Sequence, residues 1–168
     1  MRLWVPIGLA GLALCGCGGE QAPAEEGNAA APAATASAAP AACDVLTQAD
    51  AAKALGRDVQ RMESEGGPAG LDMCQYGYQG EGMMDMGQAT LTVQPVDLAS
   101  LKAGVVGQGF AVEPVAGLGD EAFWSPEAGL YVGKGQRSAI YLVGVGGSDP
   151  AADKQRAIDL AKATVARL

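Results

Sequence analysis

Along residues 43–168 the spacing of apolar positions switches repeatedly between the helical and the strand period. Leu46, Ala49, Ala52 and Leu55 recur at helical spacing, which predicts one buried helix face. Thr47 stands at the N-cap, Asp50 completes a short capping box, and Gly56 closes the helix. Strands are expected next, over Arg57 to Met62, Met73 to Gln79 and Ala89 to Val96. In the last of these Ala89, Leu91 and Val93 alternate with Gln88, Thr90, Thr92 and Gln94, so one face meets a core and the other water.

The second half repeats this rhythm. A short helix is expected at Asp97 to Leu101, followed by a strand within Val115 to Trp124 after the Gly117-Leu118-Gly119 turn. Leu130 to Gly133 and Ser138 to Val145 read as a hairpin around Lys134-Gly135-Gln136. Ile140-Tyr141-Leu142-Val143 is apolar at consecutive positions, as in a central strand covered on both faces. Asp149 and Pro150 open the last helix as N-cap and first helical residue. Ala157, Ile158, Ala161, Val165 and Leu168 form its expected buried stripe. Helices and strands in this order predict an α+β domain, a mainly antiparallel sheet with helices packed on one face. The strands-then-helix rhythm occurs in both halves without a residue-level repeat.

The N-terminal 42 residues follow other rules. Arg2 precedes an apolar run from Leu3 to Leu14, too short for the roughly 20 residues a spanning helix needs but suited to a signal peptide. From Gly18 to Ala42 the chain is Ala, Pro, Glu, Gly, Ser and Thr, with single Gln and Asn residues and no aromatic or large aliphatic side chain. Such a segment has nothing to bury and reads as a disordered tether, of about 25–30 Å r.m.s. span. The organisation is therefore 1–16 signal peptide, 17–42 tether and 43–168 domain.

Leu14-Cys15-Gly16-Cys17 resembles a bacterial lipobox, an aliphatic residue, a small one, Gly or Ala, then the acylated Cys. Cys17 is the lipidation site in that frame. The competing frame ending at Cys15 puts bulky Leu14 at the cleavage position. The resemblance implies a lipoprotein held in the bilayer through acylated Cys17, since two or more acyl chains anchor stably where one does not. Gly18, where Asp would retain a lipoprotein in the inner membrane, implies the periplasmic face of the outer membrane in a Gram-negative host. Cys43 and Cys74 remain, and an exported location predicts a disulfide between them. The other reading of these two is a reactive thiol.

Three further segments resemble a loose group of small secreted lipoprotein domains of unknown function. They are Cys43 to Thr47, Cys74-Gln75-Tyr76, and Gly117 to Trp124. This resemblance carries no catalytic residue.

Composition narrows the chemistry. Lys and Arg number 11 against 19 Asp and Glu, a formal net charge of −8, which argues against a nucleic-acid partner. There is no histidine, so the commonest general base and metal ligand are missing. Asp120-Glu121 could be imagined as paired carboxylates, but neighbours in a strand point to opposite faces. Gly144, Gly146 and Gly147 before the last helix lack a phosphate-loop pattern. No catalytic residue, cofactor or metal ligand is assigned. Met73, Met83, Met84 and Met86 cluster in sequence, and Met83 to Met86 are expected in an exposed loop. Thioethers select Cu(I), whereas methionine is also an adaptable filler at sheet edges. The reading is a non-enzymatic envelope lipoprotein that binds a protein, peptide or apolar ligand through its open sheet face or rim. The second is a periplasmic Cu(I)-handling protein using Met83 to Met86.

Overall fold

Each long helix begins where the sequence supplies a cap. The computed structural model describes residues 40–62, 71–82 and 84–168; the expected signal peptide, most of the expected tether, Cys17 and Met83 lie outside them. Helix α1 is a single turn, Ala42–Val45. Helix α2, Gln48–Leu55, carries a complete Thr47–Asp50 capping box and ends on Gly56 at φ 69°. Leu46 stands just before that cap and is fully buried with Ala51 in one cluster, the N′-to-N4 contact that fixes a helix's entry. This sets the phase of α2: Ala51 and Leu55 are buried and Ala49, expected inside, is exposed.

Helix α3, Leu98–Gly107, starts on Asp97, whose carboxylate accepts from the Ser100 amide at 2.8 Å. It runs well past the short helix expected to end at Leu101. Helix α4, Pro150–Thr164, is capped by Asp149 and followed by a 3₁₀ turn at Val165–Arg167. Ala157, Leu160, Ala161 and Thr164 are its buried residues. Ile158, Val165 and Leu168 pack only partly against the core.

Among the described residues seven strands form one antiparallel sheet: β1 Gln60–Arg61, β2 Asp72–Gln79, β3 Met86–Gln94, β4 Glu113–Pro114, β5 Glu121–Ser125, β6 Gly129–Lys134 and β7 Arg137–Val145. Their spatial order is β1-β2-β3-β7-β6-β5-β4, two meanders joined along β3 and β7. The expected strand at Arg57 to Met62 shrinks to a two-residue edge. Residues 116–120 turn, so the strand expected within Val115 to Trp124 begins only at Glu121.

The fold is α+β, with an antiparallel sheet and the Cys43–Cys74 disulfide. Helices α1, α2 and α4 cover one face over Cys74, Tyr76, Ala89, Leu91, Val93, Leu130, Val132, Ala139 and Tyr141. Helix α3 packs against the other face, where Leu98 and Val105 meet Phe123 and Tyr131. Those two rings stack with centroids 4.5 Å apart. Alternation along β5 and β6 therefore serves two cores, one on each side.

The second core stops at β7. Ile140 packs partly against it, whereas Leu142, two residues on and on the same face, is 41% exposed. The apolar run at Ile140 to Val143 does mark a central strand, but no helix among the described residues covers its far end.

Candidate functional site

Cys43 in α1 and Cys74 in β2 are bonded, with Cα atoms 5.0 Å apart. The Ala42 amide donates to the Asp72 carboxylate at 2.6 Å beside this bond. Ala42, assigned to the tether by composition, is fully buried and belongs to the domain. Arg167 closes the same corner from the far end of the chain, donating to the Val45 carbonyl at 2.9 Å and pairing with Asp50. Burial raises the Asp50 pKa, yet the Thr47 hydroxyl and amide and the Arg167 charge outweigh it and leave the carboxyl below its ordinary value.

The segment from Gly117 to Trp124 is structural throughout. Gly119 has φ 55°, and a Cβ there would lie 2.3 Å from the Gly133 carbonyl oxygen. Leu118 is buried. Asp120 accepts from the Gly135 amide at 2.7 Å, holding the β6–β7 turn, and Glu121 pairs with Lys102 of α3. The two carboxylates thus serve different partners, although Asp120 lies in the turn and only Glu121 in β5, so strand alternation is not what separates them. Ala122 and Trp124 enter the large core and Phe123 the small one. The glycines before α4 likewise offer no anion site, because Asp149 accepts from the Ala152 amide at 2.8 Å.

What remains is the part of the sheet face that no helix among the described residues covers. Register places Gln60, Gly77, Gln88 and Gly144 side by side across β1, β2, β3 and β7. Two of these four have no side chain, and a cleft of about 1030 Å³ opens over them. This is the size of a ligand pocket, which commonly spans about 300–1,000 Å³. A Cβ at Gly144 would meet nothing within 4 Å. Gln75 donates to Gln88 at 3.0 Å along the floor. Met62 and Met86, both 44% exposed, line the cleft together with Arg57, Arg61 and Tyr78.

Arg57 lies over the Tyr78 ring at 4.7 Å and pairs with Asp85; Tyr78 first and Asp85 second hold its proton more firmly than usual. Arg61, by contrast, has no ion-pair partner among the described residues.

The methionines divide. Met86 is the first residue of β3, paired with Gln79, and not part of a loop. Met84 occupies the turn before it, 67% exposed, and Met83 lies outside the described residues. Met73 sits in β2, half-buried and two strand rows from the cleft floor. Met62, which the sequence reading left out, is the methionine that joins Met86. The missed signal is a pairing: β1 folds onto β2, and no local period reports that. Among the described residues no group of three or more His, Cys, Asp or Glu is placed to hold a metal, and no helix is long and apolar enough to cross a membrane.

Comparison with protein families, curated proteins and solved structures finds no match.

Proposed function

We propose that the protein is an envelope lipoprotein, anchored through Cys17, whose domain is a non-enzymatic binding module for a protein, peptide or apolar ligand at the uncovered sheet face. The observation that supports it most is the cleft over Gly77, Gln88 and Gly144. Its walls combine thioethers and an aromatic ring with amides and two guanidinium groups. Such a lining holds a ligand by contact and hydrogen bonds. Every buried side-chain polar atom among the described residues has a partner, so the exposed cleft groups are the ones left to recognise something. The anchor reading rests on Leu14-Cys15-Gly16-Cys17 and on the Ala/Pro/Glu-rich residues that follow.

One experiment tests both halves. Wild-type protein, Cys17→Ser and Gly144→Leu are expressed in a Gram-negative host, fed labelled palmitate, and purified from membranes for native mass spectrometry. Leucine at Gly144 fills the cleft without a backbone clash. The expected result is label lost only in Cys17→Ser, and a bound mass lost only in Gly144→Leu. Label that persists in Cys17→Ser overturns the anchor. A wild type without bound mass, or equal occupancy in Gly144→Leu, overturns the cleft.

A further inference from the structure

We infer that Met62 is a redox-sensitive clamp, whose oxidation to the sulfoxide releases β1 from the edge of the sheet. This concerns the sheet edge and does not depend on the binding reading above. Among the described residues β1 is held to β2 by two residue pairs, Gln60 with Gly77 and Arg61 with Tyr76. Both β1 residues are exposed. One backbone bond follows, from the Met62 amide to the Gln75 carbonyl at 2.9 Å. Upstream the chain is secured in another way, because Val59 is buried and its carbonyl accepts from the Gln48 side chain at 2.7 Å. Residues 60–62 are thus a short flap beyond a fixed point.

The Met62 side chain fastens that flap. Its sulfur lies 2.6 Å and its Cγ 3.6 Å from where a Cβ at Gly77 would stand. Gly77 offers bare backbone, and the thioether lies diagonally across it. Met86 is exposed to the same degree, 44%, yet it belongs to a strand paired with β2 on one side and β7 on the other. Met84 rests on Gly146 through its backbone carbonyl. Position, not exposure, therefore sets Met62 apart: its sulfur is a contact that the edge depends on.

A hydroperoxide supplies the chemistry. The Met62 sulfur takes one oxygen atom from it, an S–O bond forming as the O–O bond breaks. Sulfur loses two electrons, the peroxide gains them, and water leaves when the oxidant is hydrogen peroxide. The product is polar and chiral where the thioether was apolar. Its oxygen hydrogen-bonds to water, and turning it outward lifts the sulfur off Gly77. A two-residue edge strand has little else to hold it. Gln60, Arg61 and Met62 all line the cleft, so their release removes one of its walls.

The test uses the full chain with Cys15→Ser and Cys17→Ser, so that no free thiol consumes oxidant and Cys43 and Cys74 stay bonded. Hydrogen peroxide is added, conversion at each methionine is followed by peptide mass mapping, and amide hydrogen exchange is measured before and after. The Met62 amide should be protected at first and exchange at least about tenfold faster once Met62 is oxidised, with β3 amides unchanged. Met62→Leu should keep the protection and lose the response to peroxide. A variant combining Met73→Leu, Met83→Leu, Met84→Leu and Met86→Leu should respond as the wild type does. An unprotected Met62 amide at the outset, protection that survives full Met62 oxidation, or a response that persists in Met62→Leu overturns the inference. Gly144→Leu leaves Met62 and Gly77 as they are, so the ligand reading stands or falls on its own measurement.

Discussion

The hydroxyl groups of Tyr141 and Thr164 lie 2.9 Å apart inside the core, joining the central strand β7 to the last helix. Thr164 also reaches the Leu160 carbonyl at 2.9 Å, so its proton goes there and Tyr141 donates to its oxygen. Both residues are fully buried. Their truncations should therefore differ. Thr164→Val strands a buried phenol and should cost about 1–3 kcal/mol, whereas Tyr141→Phe leaves Thr164 its carbonyl partner and should cost about 1 kcal/mol. Urea unfolding with unchanged slope measures both. A cheaper Thr164→Val than Tyr141→Phe would contradict the proton assignment.

Burial pushes the Tyr141 phenol up to about 12, against small opposing effects of Thr164 and Arg167. The folded state thus holds this proton more tightly than the unfolded chain, whose tyrosine titrates near 10. The resulting stability is complete below about pH 10 and is lost as pH rises through about 12, roughly 2–3 kcal/mol in all. Tyr131 is raised in the same direction by burial and adds to the slope. Tyr141→Phe should flatten, without abolishing, the fall in melting temperature between pH 9.5 and 11.5. An unchanged profile would show that Tyr141 is not the group responsible.

The Cys43–Cys74 bond ties α1 to β2. In the chain-entropy account a loop of this length is worth about 3–4 kcal/mol. Cys43→Ser and Cys74→Ser should each lower the melting temperature, and the double variant should be no worse than the poorer single one. Thiol reduction of the wild type should give the same loss. Two alkylatable thiols among these residues in the unreduced protein would refute the bond.

Gly117 and Gly119 both have positive φ, 78° and 55°, but their surroundings differ. A Cβ at Gly117 meets nothing, and one at Gly119 collides with the Gly133 backbone. Gly117→Ala should cost about 1 kcal/mol, the conformational penalty alone. Gly119→Ala should cost clearly more, because β6 must also move. Equal melting temperatures for the two variants would disprove the close approach.

Much of this architecture could be read from neighbouring residues. Thr47 with Asp50, Asp97, and Asp149 with Pro150 start helices through bonds made within three or four residues, so their effect is written locally. The alternation of Ala89, Leu91 and Val93 identifies a half-buried strand for the same reason. Pairing Cys43 with Cys74 followed from the expectation of an exported domain and from assigning Cys15 and Cys17 to the N-terminal segment. The extent of α3 was less legible: Asp97 announces its start, but contacts of Leu98 and Val105 with Phe123 and Tyr131 carry it onward.

By itself, then, the sequence determined the helix starts, the strand periods, the α+β class and the disulfide. Tertiary structure alone decided that β3 lies beside β7, that α3 takes the opposite face from the other helices, and that Arg167 reaches Val45. It also decided that Gly77, Gln88 and Gly144 share a row and that Met62 and Met86 line one cleft over it. The physical reason is that strand pairing is made by backbone amides and carbonyls, which are the same in nearly every residue. Which strands meet is settled by the burial of whole faces, and only that meeting brings distant side chains into one site.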